Sequence, residues 1–485
     1  MDPAWILLVA VVVVLGGILL LRLHPFLALL LAALAVAVLT PAAALEEYAR
    51  DKVKDGAWTD KAAAQFVAST AAERVATGFG RTCAAIGILI AMAAVIGKCL
   101  LDSGAADRIV RWALRLLGQD RAPLAFLSSS FVLSIPVFFD TVFYLMIPLA
   151  KATRLRSGRN YLFYVLTILA GGTMAHSLVP PTPGPLFVAD KLGVNLGAMI
   201  AGGCAVGLVA AAAGYAFAAW ANRRWDLPLR ESPDVSLVAM EQIAARGEDE
   251  LPPVWLSLAP IVLPVVLIAG QTAVATWLDA AGPGGAPAWL VAARPAIDTL
   301  GNKNVALILA AAVALGTLFW QKRASRAELA AAVQTALASG GVIILITSAG
   351  GALGATMGEC GVAGAMVRLT RDIHPVLILP VAFAVTALLR GAQGSATVAM
   401  ITSVGILQEV AVSGQLGFHP VYLALAIGCG SKPLPWMNDS GFWVICKMSG
   451  MTETEGLRTI TPQLTLMGIA GLAATMIGAA LLPLV

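Results

Sequence analysis

Five ionisable side chains interrupt apolar segments of this chain that are long enough to span a membrane. Arg390 and Lys432 are cations, whereas Asp140, His176 and Asp439 can take up or release a proton. Placing a charge near the centre of a bilayer costs at least about 2.5–3.5 kcal/mol, so such residues are candidates for function. The cations could neutralise a bound carboxylate. Asp140, with Asp439 and His176 as alternatives, could carry a proton.

Each of these residues also has a purely structural interpretation. Asp140 and Asp439 suit helix caps, since Asp is a favoured capping residue. Arg390 could reach a membrane surface, Lys432 could pair with Asp439, and His176 could be a buried structural histidine. Neutral residues nearby carry hydroxyl and amide groups suited to a polyol or, alternatively, to packing and capping: Thr141, Ser177, Thr182, Gln393, Ser395, Thr397, Asn438 and Ser440.

The chain is too apolar to be soluble. Of its 485 residues, 59% are hydrophobic and only 12% are charged, and the mean hydropathy is +0.84. Its apolar runs suit a bilayer core of about 30 Å, which about 20 helical residues can cross. We predict an all-α polytopic membrane protein in contact with lipids. The start, "MDPAWILL", lacks the basic region of a signal peptide, so residues 5–21 are expected to remain as a first helix.

The sequence lacks the motifs of several other function classes. No G-x-S-x-G, H-E-x-x-H or Cys/His cluster is present, and no Walker A motif. The six cysteines lie in or beside apolar segments without metal-ligand spacing. We therefore predict neither an enzyme nor a bound metal or other cofactor. The net charge of +4 is spread over loops, so no nucleic-acid partner is expected, and a passive anion channel stays as a remote alternative.

An internal repeat organises the chain. Seven residue pairs recur at a spacing of 257: Gly97/Gly354, Asp102/Glu359, Gly104/Gly361, Val110/Val367, Arg111/Arg368, Pro123/Pro380 and Phe126/Phe383. This regularity predicts two copies of one unit, residues 1–222 and 254–485, joined by a cytoplasmic linker of residues 223–253. Each copy is expected to cross the membrane five times, an odd number, so the second copy would be inverted.

Both copies are expected to contain the same order of segments. Two early helices (5–21 and 24–43; 254–279 and 303–320) precede an amphipathic arm (61–78; 324–337) and a third helix (81–101; 339–357). A re-entrant hairpin (122–150; 374–411), a helix broken in its middle (161–191; 419–448) and a closing helix (195–221; 462–484) follow. Segments 44–80 and 102–122 are expected to be loops.

Basic residues predict the orientation. They are concentrated in four polar segments: 102–122, 151–160, 222–253 and 321–337. The positive-inside rule assigns these segments to the cytoplasm, so both termini are predicted on the outer face of the inner (plasma) membrane.

Four interruptions of the helices indicate where a site lies. The prolines of "HSLVPPTPGP" (176–185) cannot donate helical hydrogen bonds, and "KPLPWMNDSG" (432–441) is its counterpart in the second copy. The hairpin tips are "SIPVFFDTV" (134–142) and "RGAQGSATV" (390–398). Non-helical backbone survives at membrane depth only where protein buries it or where it lines a wet cavity. Paired broken segments typically form a substrate site with half-helix N-termini aimed at an anion.

Four strings, in this order, resemble the gluconate permease family: "FFDTVFYLMIPLAK", "HSLVPPTPGP", "LLRGAQGSATVAMITS" and "GSKPLPWMNDSGFWVICKMSGMTETEGLRT". The resemblance spans nearly the whole chain and implies a proton symporter for gluconate or a related sugar acid or small hydroxy acid. That family is grouped with the ion transporter superfamily, which implies a homodimer with a fixed scaffold and an elevator-like transport domain.

The hairpin tips depart from the sodium-linked members of that superfamily. Those members carry Ser-Asn-Thr at both tips, where this chain has Phe139-Asp140-Thr141 and Ser395-Ala396-Thr397. The departure favours a proton as the coupling ion. A sodium-coupled carboxylate carrier is the alternative.

Overall fold

The computed structural model describes residues 3–54, 56–230, 247, 250–281, 287–360, 377–412, 416–436 and 439–484. These residues are helical or irregular and contain no strand. Seven described helical segments, one of them the broken segment Tyr161–Lys191, are long and apolar enough to cross a membrane, or eight if one sharply bent pair counts as a single span. The predicted all-α membrane class is therefore confirmed.

The described helices of the first half, in chain order, are α1 (Pro3–Leu15), α2 (Pro25–Leu39), α3 (Ala42–Lys54), α4 (Asp60–Ala68), α5 (Ala71–Asp102), α6 (Ala105–Leu117), α7 (Ala122–Leu133), α8 (Phe139–Ser157), α9 (Tyr161–Leu178), α10 (Pro183–Lys191) and α11 (Leu196–Arg224). A short π-helix, Gly16–Leu20, extends α1.

The described helices of the second half are α12 (Val254–Ala281), α13 (Ala288–Leu300), α14 (Lys303–Lys322), α15 (Arg326–Glu359), α16 (Ile378–Gln393), α17 (Ala396–Val412), α18 (Val421–Gly430), α19 (Ser440–Ser449) and α20 (Glu453–Leu481). As in the first half, a long helix is followed by a helix pair, a broken helix and a closing helix.

The predicted division into an arm and a third helix is wrong in both halves. The arm at 61–78 and the helix at 81–101 are instead α4 and a continuous α5, which begins at a capping box of Thr70 and Glu73. Likewise, 324–337 and 339–357 form one helix, α15, which begins at a capping box of Ser325 and Glu328. These caps satisfy the first free N–H groups, so they decide where each helix starts.

Two segments expected to be loops contain helices, and a further helix lies between two predicted ones. Segment 44–80 contains most of α3 and all of α4, and α3 turns by 97° from α2. Segment 102–122 contains α6, whose apolar face is buried while most of its charged side chains lie on the other side. Helix α13 lies between the predicted helices 254–279 and 303–320. Amphipathic helices of this kind are too polar to be recognised as membrane spans.

Close backbone packing holds the central helices together. A Cβ atom added to Gly171 of α9 would lie 2.1 Å from the carbonyl oxygen of Leu127 in α7. One added to Gly203 of α11 would lie 2.2 Å from that of Leu178 in α9. Only glycine permits these approaches, as is common where helices pack inside membranes. Gln463 of α20 joins the same group through hydrogen bonds to carbonyls of α9 and α11, at 2.9 and 3.0 Å.

A buried ion pair connects the two longest helices. The Nε atom of Arg74 in α5 lies 3.1 Å from Oε2 of Glu359 in α15, and both side chains are buried. Arg74 also donates to the carbonyls of Ser69, at 2.9 Å, and Ala37, at 2.8 Å. One guanidinium thereby joins α2, the start of α5 and the end of α15.

Replacing Arg74 should destabilise the protein strongly. Arg74→Leu leaves Glu359 buried without its partner, which costs about 3–5 kcal/mol and should lower the apparent melting temperature by on the order of 10 °C. The measurement is thermal unfolding of the purified protein in detergent. Arg50→Leu is the control, since Arg50 is exposed and bonds only within α3. Equal melting temperatures for the two variants would contradict the assigned role of the buried pair.

Candidate functional site

Three of the four helix interruptions and the end of α9 meet around one cavity of about 380 Å³. Its walls come from the tip between α7 and α8, the tip between α16 and α17, the break between α18 and α19, and the end of α9. The predicted breaks are confirmed, because α9 ends at Leu178 before α10 begins at Pro183, and α18 ends at Gly430 before α19 begins at Ser440. Side chains of α15 and α20 complete the lining.

Arg390 is held at one side of the cavity by the second broken helix. Its guanidinium forms an ion pair with the carboxylate of Asp439, and its Nε donates to the carbonyl of Ser431 at 3.1 Å. Both side chains of the ion pair are buried. The Nη1 atom of Arg390 is also buried and has no hydrogen-bond partner among the described residues. Arg390 therefore keeps unpaired N–H donors at Nη1 in addition to its existing contacts.

Lys432 is the second buried cation of the site. Its Nζ donates to the carbonyl of Thr173 in α9 at 2.8 Å, which leaves further ammonium donors available. His176 lies one turn further along α9, packs edge-on against Phe138 with ring centroids 6.1 Å apart, and has a buried Nδ1 without a partner among the described residues. The site therefore contains two cations, together with nitrogen atoms of Arg390 and His176 that have no hydrogen-bond partner among the described residues.

Two carboxylates balance these cations. Asp439 caps α19 by accepting from the N–H of Gly441 at 2.8 Å. A Cβ atom added to Gly441 would lie 3.3 Å from Oδ1 of Asp439 and 3.8 Å from Oδ1 of Asp140. The second carboxylate, Asp140, therefore lies near the same glycine, and it is exposed to the cavity. With Arg390 and Lys432, the described charges of the lining sum to zero.

Three helix N-termini point at the cavity. The first turns of α8, α17 and α19 contribute lining residues from Phe139, Ala396 and Gly441 onward. The first N–H groups of a helix lack partners within the helix, and they carry partial positive charge that favours an anion. The lining accordingly suits a negatively charged ligand, even though its own formal charges cancel.

The predicted site residues divide into three groups. Eight line the cavity: Asp140, Thr141, His176, Arg390, Ser395, Thr397, Lys432 and Asp439. Ser177 and Thr182 are buried outside it, and the hydroxyl of Thr182 donates to the carbonyl of Val179 at 2.8 Å. The described part of the structure does not include Asn438 or the side chains of Gln393 and Ser440.

Several lining residues could not be recognised from the sequence. Thr173 precedes His176 by three positions and shares its helical face, and the carbonyl of Ser431 holds Arg390. Ser339, Ile343 and Ile346 form one face of α15, which the sequence indicates only as a membrane span. The three- and four-residue spacing of such a face is a weak signal, because every membrane helix repeats it.

The fold is shared with a solved transporter. The chain resembles the crystal structure of the YdaH transporter of Alcanivorax borkumensis with a TM-score of 0.60 at 14% identity, covering 84% of this chain and 88% of that one. Together with its apolar spans, this likeness defines the chain as an integral membrane protein with the fold of a transporter.

The family follows from the sequence matches. The model of the GntP family permeases matches residues 63–481. A gluconate permease of Pseudomonas aeruginosa is 32% identical over 97% of both chains, and the low-affinity gluconate transporter of Escherichia coli K12 is 30% identical over 84% of this chain and 87% of its own. The L-idonate transporter of that strain is 28% identical over 82% of this chain and 86% of its own. The chain belongs to the GntP permease family.

Two substitutions at Asp439 should separate its charge from its capping role. Asp439→Asn keeps a capping oxygen but leaves Arg390 buried without its partner, at a cost of about 3–5 kcal/mol. Asp439→Ala loses the cap as well, which adds about 1 kcal/mol. Thermal unfolding in detergent should therefore rank the wild type above Asp439→Asn and that variant above Asp439→Ala. Wild-type stability of Asp439→Asn would show that the ion pair contributes nothing.

Proposed function

We propose that this protein is a secondary active transporter of the inner membrane. It takes up gluconate, or a related sugar acid or small hydroxy acid, together with a proton. The family supports the substrate class, because relatives over most of the chain are named gluconate permeases and an L-idonate transporter. The observation that carries the proposal is the cavity, which combines two buried cations with three helix N-termini.

The carboxylate of the substrate binds to the cationic part of the cavity. Lys432 has free donors beyond its bond to Thr173, and Arg390 has its unpaired Nη1. Helix N-termini add partial positive charge without any proton exchange. Hydroxyl groups of Thr141, Ser395 and Thr397 line the same cavity and suit the hydroxyls of a polyol. A ligand with a carboxylate at one end and hydroxyls along its length matches this arrangement.

Charge balance provides the reason for a coupled proton. The described lining holds two cations and two carboxylates, so a bound monovalent acid would leave one uncompensated negative charge in a buried site. A proton on Asp140 restores neutrality, and Asp140 is the carboxylate without an ion-pair partner in the described lining. Asp439 and His176 are the alternative carriers. A sodium ion would restore the same balance, so a sodium-coupled carrier is the competing function.

The transport cycle we propose uses the repeat. Residues 1–222 and 254–485 would be inverted copies joined by the cytoplasmic linker 223–253, with both termini outside. The matching order of elements supports this reading, since each half contains a helix pair followed by a broken helix. The hairpins and broken helices would move as an elevator against a scaffold within a homodimer. The tip at Asp140 would close the site from one side, and the tip at Ser395 from the other.

Uptake into proteoliposomes tests the function. A pH gradient, inside alkaline, should drive accumulation of gluconate above its external concentration, whereas a sodium gradient alone should not. One monovalent acid with one proton carries no net charge, so a membrane potential would do no work on the complete cycle. Accumulation that requires a sodium gradient would show that sodium, and not a proton, is the coupled ion. Flux that never proceeds against the gluconate concentration gradient would support a passive channel.

In the same assay, Asp140→Asn should separate binding from coupling. The amide resembles the protonated acid, so the variant should bind gluconate and exchange external for internal substrate but lose accumulation driven by the pH gradient. Asp60→Asn is the matched control, since Asp60 also lies in the first turn of a helix and is exposed far from the cavity. Full gradient-driven accumulation by Asp140→Asn would move the proton to Asp439 or His176.

Lys432→Gln should abolish binding of the acid. Without the ammonium group the substrate carboxylate lacks a buried partner, a loss of about 3–5 kcal/mol, so the Kd should rise by at least about 100-fold. Equilibrium binding of radiolabelled gluconate to the purified protein measures this. Lys151→Gln is the control, because Lys151 is also buried and donates to a backbone carbonyl, that of Arg230, at 3.4 Å. Native affinity in Lys432→Gln would refute the assignment.

A further inference from the structure

Two smaller cavities continue from the central one. The first, of about 120 Å³, shares Phe138, Thr141 and Ser339 with it and runs between α5, α15 and the tip before α8. The second, of about 280 Å³, shares Leu101 with the first and lies where α5 ends. The three cavities therefore adjoin one another in a row along α5 and α15, from the central site to the end of α5.

Among the described residues that line the middle cavity, one is a cation. Lys98 of α5 places its Nζ 2.8 Å from Oδ1 of Asp102, one turn further along the helix. About a third of each side chain is exposed, and the pair lies at the end of α5. Thr335 and Ser339 of α15 are exposed in the same cavity, and Thr141 lines both this cavity and the central one. The middle cavity thus repeats, on a smaller scale, the lysine and hydroxyls of the central site.

We propose that Lys98 is a second binding residue for the substrate carboxylate, on a path between the central cavity and the face at which α5 ends. The inference rests on the proposed function, since it requires an acid as the substrate. That face is cytoplasmic in the proposed orientation. Asp102 holds Lys98 while the path is empty, and the carboxylate of the passing acid replaces Asp102 as its partner.

The strength of the Lys98–Asp102 pair suits such an exchange. Partly exposed ion pairs four residues apart on one helix are weak, because water competes with them and two side chains must be ordered. A second carboxylate can therefore displace Asp102 at little cost. The middle cavity has about a third of the volume of the central one, and Phe138 and Thr141 line both. Movement of this tip would widen the path for a sugar acid.

Exchange across vesicles of defined orientation tests the role of Lys98. Gluconate is saturating on the trans side and kept at a low concentration on the cis side. When the cis side is the face where α5 ends, Lys98→Gln should slow exchange about 10-fold. The reason is that a cation on the path speeds the association of an anion. Cis substrate on the opposite face should exchange at the wild-type rate. The Kd of the central site should stay unchanged, because association and dissociation slow together.

Two further variants sharpen the test. Lys98→Arg keeps the charge and should retain most of the wild-type rate. Lys54→Gln removes the same charge from a comparable pair, since Lys54 lies 3.5 Å from Asp51 three residues earlier in α3, away from the path. It should exchange at the wild-type rate. Raising the salt concentration should slow the wild type more than Lys98→Gln, because screening weakens the same attraction.

Three results would overturn the proposal for Lys98. The first is an unchanged exchange rate in Lys98→Gln, and the second is an equal loss of exchange rate with cis substrate on either face. The third is a loss of equilibrium binding, which would mean that Lys98 acts in the central site or stabilises the fold. A wild-type protein that neither binds nor exchanges any sugar acid would overturn the proposed function itself, and the inference with it. If the wild-type protein transports the acid and Lys98→Gln exchanges at the wild-type rate, only the inference about Lys98 is overturned.

Discussion

The absence of water from the bilayer core is the constraint on which this structure depends. A backbone N–H or C=O without a partner costs several kcal/mol there, so helix interruptions persist only where protein or a wet cavity satisfies them. In this chain, three of the interrupted segments and the end of α9 meet at a single cavity. Grouping them lets one pocket accommodate the freed polar groups of several helices. The proposed binding site is therefore the place where the freed backbone groups are accommodated.

The same constraint governs charge. Arg390 and Asp439 are buried together, as are Arg74 and Glu359, because an isolated charge is far more costly than a pair. The two pairs differ in their other contacts: Arg74 bonds to three helical segments, whereas Arg390 lines the cavity and has an Nη1 without a partner among the described residues. Asp140 carries the remaining carboxylate of the described lining and is exposed to the cavity. In the proposed function, this accessible carboxylate takes up the cation that balances the charge of a bound anion.

Similarity and geometry contribute different parts of the functional argument. The likeness to the Alcanivorax borkumensis transporter, at 14% identity, concerns the fold alone. The GntP family matches bring the substrate class, and the cavity explains physically how a sugar acid would be held. The row of cavities past Lys98 adds a proposed route for the substrate between the site and one face of the protein. Along this route lies a weak ion pair whose acidic partner the substrate carboxylate can replace.

Sequence alone determined the class of protein, the positions of the helix breaks and the ionisable residues of the site. Hydropathy decides where helices cross, prolines remove the hydrogen bonds that a helix needs, and a buried charge is too costly to occur without a partner or a task. These are local rules, so Asp140, Arg390, Lys432 and Asp439 could be recognised in advance, and all four line the cavity.

Only the tertiary structure decided which neutral residues face the cavity and how far each helix extends. Successive residues of a helix turn by about 100°, so Thr173 and His176 point inward whereas Ser177, the next residue, does not. Helix α15 continues through Gly340, where α5 packs so closely that an added Cβ atom would lie 3.1 Å from that of Ala94. Such contacts join residues far apart in the chain, and no local pattern contains them. For the same reason, only the packing of α5 against α15 brings Lys98 and Ser339 to the same cavity.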